Sequence, residues 1–136
     1  MVNDSINVLT GAIIGAAIEV HKELGPGLLE NIYEECLCLE FSNRGLAFSR
    51  QKEIPIVYKG KPTECKYRVD LFVDDVVVVE LKSCKRIETI HEAQAMTYMK
   101  ILKAPVGLLI NFNVVLLKDG ITRLMLPNDD LIQASP

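Results

Sequence analysis

VVVVELKSCK, residues 76–85, places four consecutive valines just before the charged pair Glu80 and Lys82. A continuous apolar run of this kind predicts a strand that is buried on both faces, as in the centre of a sheet. Side chains two residues apart on a strand point to the same side, so Glu80 and Lys82 share one face. Charged groups at the end of a buried strand cost desolvation free energy unless they are paired or coordinated. The stretch therefore indicates a central strand with a functional site at its end.

Asp70 lies on the preceding predicted strand, and the turn at Asp74-Asp75 decides whether its carboxylate can meet that of Glu80. A two-residue turn would pair position 70 with position 79 and would point Glu80 to the opposite face. A three-residue loop gives positions 70 and 80 the same parity, and Asp tolerates the left-handed conformation that such a loop needs. We therefore predict a three-residue, bulged turn that brings Asp70, Glu80 and Lys82 to one face.

The segments before these strands are predicted to be two helices and an edge strand. Helical periodicity and capping residues predict a first helix from about residue 4 to residue 24 and a second from residue 28 to a stop at Gly45. Between them, Gly25-Pro26-Gly27 is a strong helix breaker. From residue 46 the period changes to two, and Pro55 favours an edge position for the strand that follows.

The segments after residue 86 are predicted to be a helix, a buried strand and a hairpin. The helix is expected over residues 87–103, with Ile90, Ala93, Met96 or Thr97, and Ile101 turned to the core. VGLLINF, residues 106–112, predicts a buried strand, and Asp119-Gly120 predicts a hairpin turn between residues 114–118 and 121–126. The element order α-α-β-β-β-α-β-β predicts an α/β domain in which the first three strands form an antiparallel meander.

Length and composition fit one globular domain. The chain has 136 residues, 49% of them apolar, and a mean hydropathy of +0.22. We expect a core over about residues 6–126 and a loose tail over 127–136. The most apolar helix is interrupted by polar residues and lacks a positively charged leader, so we expect neither a membrane span nor a signal peptide. With four cysteines expected as reduced thiols, a cytoplasmic location is expected.

Charge is distributed unevenly along the chain. The net charge is −3, but residues 1–49 carry −5 and residues 50–86 carry +3. The basic middle segment is compatible with a modest anion-binding patch or with a solvated sheet edge decorated with lysine. The overall balance argues against a nucleic-acid binder that depends on net positive charge.

The residue types at the predicted site suit a hard divalent cation. Two carboxylates, Asp70 and Glu80, and the backbone carbonyl of Leu81 are oxygen ligands of the kind that Mg²⁺ or Mn²⁺ prefers. Lys82 is a compact cation that can orient an attacking water and stabilise developing negative charge. The same spacing is also compatible with a buried ion network that has no catalytic role.

Asp70, Glu80-Leu81-Lys82 and a following helix that carries Gln94 together resemble the PD-(D/E)XK nuclease superfamily. The segment GLLENIY, residues 27–33, matches the motif of the GxxExxY protein family, which is placed within that superfamily. The likeness extends over roughly residues 6–126. One departure is Val69, which stands where the superfamily label has proline; since the chemistry needs the carboxylate that follows, this difference puts little in doubt.

The resemblance implies a restriction-endonuclease-like core, with a central mixed sheet flanked by helices, and a role for each matching residue. It implies Asp70 and Glu80 as metal ligands and Lys82 as the catalytic lysine. Two further site residues would be Glu30, an additional acid from the second helix, and Gln94, from the third. Candidates for the rim of the site are Tyr33, His91 and Tyr98, each of which could equally be a packing residue.

These features predict an Mg²⁺- or Mn²⁺-dependent enzyme that hydrolyses phosphodiester bonds in DNA or RNA. The alternative is a non-catalytic module that keeps the fold and binds nucleic acid or a partner protein. A domain of this size leaves little surface for sequence recognition, so we expect a homodimer or a partner protein to provide specificity.

Overall fold

The computed structural model describes residues 4–127, and the valine run forms the middle strand of its sheet. This strand is buried from its first residue to Leu81 because apolar side chains cover both of its faces. In chain order the elements are α1 (Asp4–Leu24), α2 (Glu30–Asn43), β1 (Phe48–Tyr58), β2 (Lys61–Val73), β3 (Val77–Lys82), α3 (Thr89–Leu102), β4 (Val106–Asn111), the 3-10 helix η1 (Leu117–Gly120) and β5 (Ile121–Met125). The α/β class and the predicted element order are confirmed.

The five strands form one mixed sheet in the order β1-β2-β3-β4-β5. Strands β3 and β4 are parallel, and α3 makes the crossover between them, as parallel neighbours require. The other three pairs are antiparallel. Strand β1 lies at an edge, which is the position that Pro55 predicts.

The turn between β2 and β3 has three residues, as predicted. Val73 pairs with Val77 and Leu71 with Val79, so residues 74–76 form the loop. Asp74 and Asp75 adopt left-handed φ values of 53° and 54°. This register places positions 70 and 80 opposite each other, one step beyond the last backbone pair.

Two apolar cores lie on opposite faces of the sheet. One packs α1 and α2 against side chains that include Leu71, Val79 and Leu81. The other packs α3 against side chains that include Val69, Phe72 and Val78. Val69 and Leu71 are two residues apart on one strand and should share a face, yet they belong to different cores. Strand β2 therefore rotates at Asp70.

The predicted core face of the third helix is wrong except at Met96, which is half-buried against the core on that side of the sheet. Ile90 is 59% exposed and Ile101 is 42% exposed, whereas Ala95, Tyr98 and Met99 are buried. Gly107 on β4 determines this rotation, because a Cβ there would press into the Met99 side chain. Because Gly107 leaves room for the Met99 side chain, α3 packs with Met99 against the sheet and Ile101 exposed.

The predicted hairpin around Asp119-Gly120 is also wrong in its first strand. Residues 114–116 are not a strand, and η1 leads directly into β5, which pairs with β4. Gly120 sits so close to β4 that a Cβ would collide with the backbone oxygen of Asn111. Most of the predicted tail, residues 128–136, lies outside the described residues. Among residues 4–127, no helix is long and apolar enough to span a membrane.

Two glycine substitutions should have opposite effects on stability. Gly120→Ala should lower the free energy of unfolding by about 1–3 kcal/mol, because its Cβ overlaps backbone that cannot move away cheaply. Gly11→Ala lies in α1 with nothing within 4 Å of the new Cβ, and it should raise the free energy of unfolding by about 0.5–1 kcal/mol. Urea unfolding of both variants measures the difference; equal effects would contradict this packing of Gly120.

Candidate active site

Two side-chain hydrogen bonds join β2 to β3 where the backbone ladder ends. The Asp70 N–H donates to Glu80 Oε2 at 2.7 Å, and the Leu81 N–H donates to Asp70 Oδ2 at 2.8 Å. Each carboxylate thus accepts a hydrogen bond from the backbone of the other strand. This reciprocal pair fixes both acids side by side at the end of β3, and it depends on the three-residue turn described above.

The backbone of Leu81 faces the same side as the two acids. In a strand, the N–H and C=O of one residue point to the same neighbouring strand. Since the Leu81 N–H bonds to Asp70, its carbonyl is also directed towards β2, away from β4. The next carbonyl, that of Lys82, points the other way and accepts a hydrogen bond from the Phe112 N–H at 2.9 Å.

The surroundings of both carboxyl groups disfavour the ionised form and raise their pKa values. Burial, and then the charge of Asp70, raise the pKa of Glu80 to about 8. Burial also raises the pKa of Asp70, against the lowering effect of its hydrogen bond from Leu81. Among the described residues, neither acid has a basic partner within 4 Å, so no ion pair offsets their repulsion.

Lys82 ends β3 and lies half-buried on the strand that carries Glu80. Its positive charge lowers the pKa of Glu80, although by less than burial and Asp70 raise it. Within residues 4–127 the ammonium group makes no ion pair shorter than 4 Å. The lysine is therefore near the acids without being neutralised by them.

The first turn of α2 approaches the same two acids. Glu30 is exposed, and its charge contributes to the raised pKa of both Asp70 and Glu80. The Ser83 Oγ donates to the Leu28 backbone oxygen at 2.5 Å, which ties the end of β3 to the loop before α2. Glu30 thus lies near enough for its charge to act on both acids.

Two residues that the sequence did not predict, Glu34 and Gln51, extend the site beyond Asp70 and Glu80. Glu34 is only 8% exposed, although the sequence offers no reason to separate it from the solvated acids of α2. Gln51 Nε2 donates to Glu34 Oε1 at 2.6 Å and more weakly to Asp70 Oδ1 at 3.3 Å, and Arg50 Nε donates to Glu34 Oε2 at 2.8 Å. The i, i+4 spacing of Glu34 from Glu30 was the one available signal.

Tyr33 lies in the core and not on the rim. It is fully buried and stacks on Phe112 with ring centroids 4.3 Å apart. Its hydroxyl donates to the Gly25 oxygen at 2.6 Å and accepts from the Leu28 N–H at 3.1 Å. In the motif of residues 27–33, the tyrosine therefore holds the loop that positions Glu30.

The three α3 residues have different surroundings. His91 caps its own helix, because its Nδ1 accepts from the Glu88 N–H at 3.0 Å. Tyr98 is buried near the acids, and burial followed by the charge of Glu80 raises its pKa. Gln94 is exposed, and in the described part of the chain its side chain makes no hydrogen bond to the acids.

Asn111 is a third residue near the site that the sequence did not predict. It is 2% exposed, and its amide accepts from the Cys84 N–H and donates to the Cys84 oxygen at 3.1 and 2.9 Å. These bonds hold the chain that leaves β3 after Lys82. Its signal was a polar residue inside the buried run of residues 106–112.

The donor set fits a hard divalent cation bound by few protein ligands. Asp70 and Glu80 present carboxylate oxygens, and the Leu81 carbonyl is directed to their side. No group of three or more His, Cys, Asp or Glu side chains within residues 4–127 is arranged to hold a metal by itself. Mg²⁺ commonly keeps several waters and binds through one or two carboxylates, so two acids suffice.

A five-stranded mixed sheet with helices on both faces and two acids near the end of its central strand defines a restriction-endonuclease-like fold. The family model of the PD-(D/E)XK nuclease superfamily matches residues 7–124. The chain belongs to this superfamily. The searches of curated proteins and of solved structures found no match.

Neutralising Glu80 should stabilise the metal-free protein at alkaline pH. The folded pKa is about 8 and the ordinary value is 4.5, so the unfolded chain loses its proton first as pH rises. Stability therefore falls between about pH 4.5 and 8. Glu80→Gln removes this loss and keeps an oxygen for the Asp70 N–H.

Thermal unfolding in EDTA should give Glu80→Gln an advantage of about 1–3 kcal/mol at pH 8 and little at pH 4.5. Glu64→Gln, which changes an exposed acid on β2, is the control and should have the stability of the parent at both pH values. An equal advantage for Glu80→Gln at both pH values would contradict the raised pKa of Glu80 as its cause.

Proposed function

We propose that the protein is a divalent-metal-dependent nuclease that hydrolyses phosphodiester bonds in DNA or RNA. The observation that carries this proposal is the reciprocally bonded pair of Asp70 and Glu80, with Lys82 beside it and, among residues 4–127, no basic partner within 4 Å of either acid. Membership of the superfamily supports nuclease activity and the use of a divalent metal. The GLLENIY motif supports a finer assignment to the GxxExxY family.

In this proposal Asp70, Glu80 and the Leu81 carbonyl hold Mg²⁺ or Mn²⁺. A bound ion supplies Lewis-acid polarisation of the phosphate and lowers the pKa of a water. Lys82 orients the attacking water and stabilises the negative charge that develops at phosphorus. Glu30 acts through bound water, because its carboxylate comes from the facing helix.

The remaining features of the proposal concern the surroundings of the site. Gln94 on α3 contacts the substrate, since its side chain is exposed. A second copy of the chain or a partner protein supplies sequence specificity. The four cysteines are free thiols, which supports a reducing compartment such as the cytoplasm.

One observation favours a non-catalytic alternative. Within the described part of the chain, no buried side-chain nitrogen or oxygen lacks a hydrogen-bond partner. Each acid accepts a hydrogen bond from the backbone of the neighbouring strand, as in a structural network that serves nucleic-acid or partner binding. The two candidates differ in their response to metal.

Cleavage of a mixed panel of DNA and RNA with Mg²⁺ or Mn²⁺ tests the proposal. Asp70→Asn and Glu80→Gln should each lower the rate by at least about 100-fold, because each removes a metal-binding carboxylate. Lys82→Met should lower it by about 100- to 10,000-fold, and Glu30→Gln by about 10- to 100-fold.

Glu23→Gln, which removes a negative charge from an exposed position on α1, is the control and should cleave at the parent rate. Calorimetric titration with Mn²⁺ should show binding and proton release by the parent and neither by Glu80→Gln. A parent protein that neither binds metal nor cleaves any member of the panel would refute the nuclease proposal and favour the non-catalytic alternative.

A further inference from the structure

A two-stranded arm projects from the edge of the sheet beside the proposed site. Strand β2 has 13 residues, but only Leu71, Phe72 and Val73 pair with β3. The rest of β2 pairs with β1 alone, up to a Lys59-Gly60 turn with positive φ at both positions. We call residues 52–68 the ribbon. All of residues 61–68 are exposed.

The base of the ribbon is anchored, so the arm has a defined direction. Ile54 is fully buried in the core that also holds Val69, Tyr98 and Met99. Tyr67 packs on Tyr98 with ring centroids 5.4 Å apart. Asp70 follows two residues after the ribbon, which therefore extends directly from the carboxylate pair.

The ribbon carries a charge opposite to that of the rest of the chain. It has five Lys or Arg residues and two Glu residues, hence +3, while the remaining residues carry −6. At its tip, Lys59 and Lys61 are exposed and form no ion pair within 4 Å among residues 4–127. Nearer the base, Lys66 and Arg68 share Glu53 at 3.2 and 3.7 Å. The tip thus holds the less neutralised positive charge.

The shape of the ribbon selects one kind of nucleic acid. A two-stranded β-ribbon fits the major groove of B-DNA, which is about 12 Å wide, whereas the major groove of duplex RNA is too deep and narrow for protein elements. The nine residues between Asp70 and Gly60 span about 30 Å at about 3.3 Å per residue. This length is close to one turn of duplex DNA, about 34 Å.

From these observations we propose that the ribbon is a DNA-binding arm that lies in the major groove of duplex DNA on one side of the cleavage site. The inference rests on the proposed nuclease function and adds its substrate class. Lys59 and Lys61 contact phosphates about eight or nine base pairs from the cut, at about 3.4 Å per pair. The exposed Tyr58, with Lys59 Nζ 5.4 Å from its ring centroid, lies at the same end.

Two double variants with the same change of charge test the arm. Lys59→Asn with Lys61→Gln alters the tip, and Lys103→Asn with Lys100→Gln alters the end of α3, at the opposite end of the sheet from the acids. Lys59 and Lys103 share left-handed φ values of 49° and 58°, which Asn tolerates, so the backbone effects are matched. All four lysines are exposed.

Fluorescence anisotropy in EDTA measures binding of a 24-base-pair DNA duplex without cleavage. The tip variant should bind about tenfold or more weakly than the parent at 0.1 M salt, and the slope of log K against log salt should fall by about 2. The α3 variant should stay within about twofold of the parent. Shortening the duplex below about eight base pairs on one side of the bound centre should weaken DNA binding by the parent. It should change DNA binding by the tip variant little.

Equal binding by the two double variants would overturn the proposal, as would a parent that fails to bind duplex DNA or that prefers single strands or duplex RNA. The nuclease proposal is judged separately, by cleavage with Mn²⁺. A parent that binds duplex DNA through the tip but cleaves nothing would refute the nuclease function and keep the arm. A parent that cleaves while the tip variant binds DNA as tightly as the parent would refute the arm and keep the nuclease function.

Discussion

The pair of hydrogen bonds between Asp70 and Glu80 and the opposite backbones is the constraint on which the site depends. Beyond Leu71 and Val79 the strands no longer pair through their backbones, and these side chains close the gap. Both acids are held there at the end of the sheet. The same divergence frees β2 to continue with β1 as the ribbon, so one structural event creates the acidic pair and the projecting arm.

The electrostatic state of this pair has a cost in stability that a function would explain. Two neighbouring carboxyl groups without a basic partner are expensive to ionise in a partly buried place, and the pKa of Glu80 rises to about 8. A cation bound between them would reverse that cost. Sites of this kind commonly reduce the stability of the protein that carries them.

Local sequence patterns predicted much of the framework because they depend on short-range rules. The parity of Asp70 and Glu80 follows from one turn, and Asp74 and Asp75 adopt the left-handed conformation that this turn requires. The face of α3 could not be predicted in this way. Ile90 and Ile101 are as apolar as the residues that are buried, and the close approach of Met99 to Gly107 selects among the alternatives.

The sequence by itself determined the central strand, the order of the elements and the residues of the acidic pair, because a buried apolar run and the period of two are local properties of the chain. Only the tertiary structure decided that β2 rotates at Asp70, that Glu34 is buried beside Gln51 and that Tyr33 supports the loop before Glu30. These features depend on contacts between residues distant in sequence. The direction and exposure of the basic ribbon have the same origin, because they depend on where β2 leaves β3.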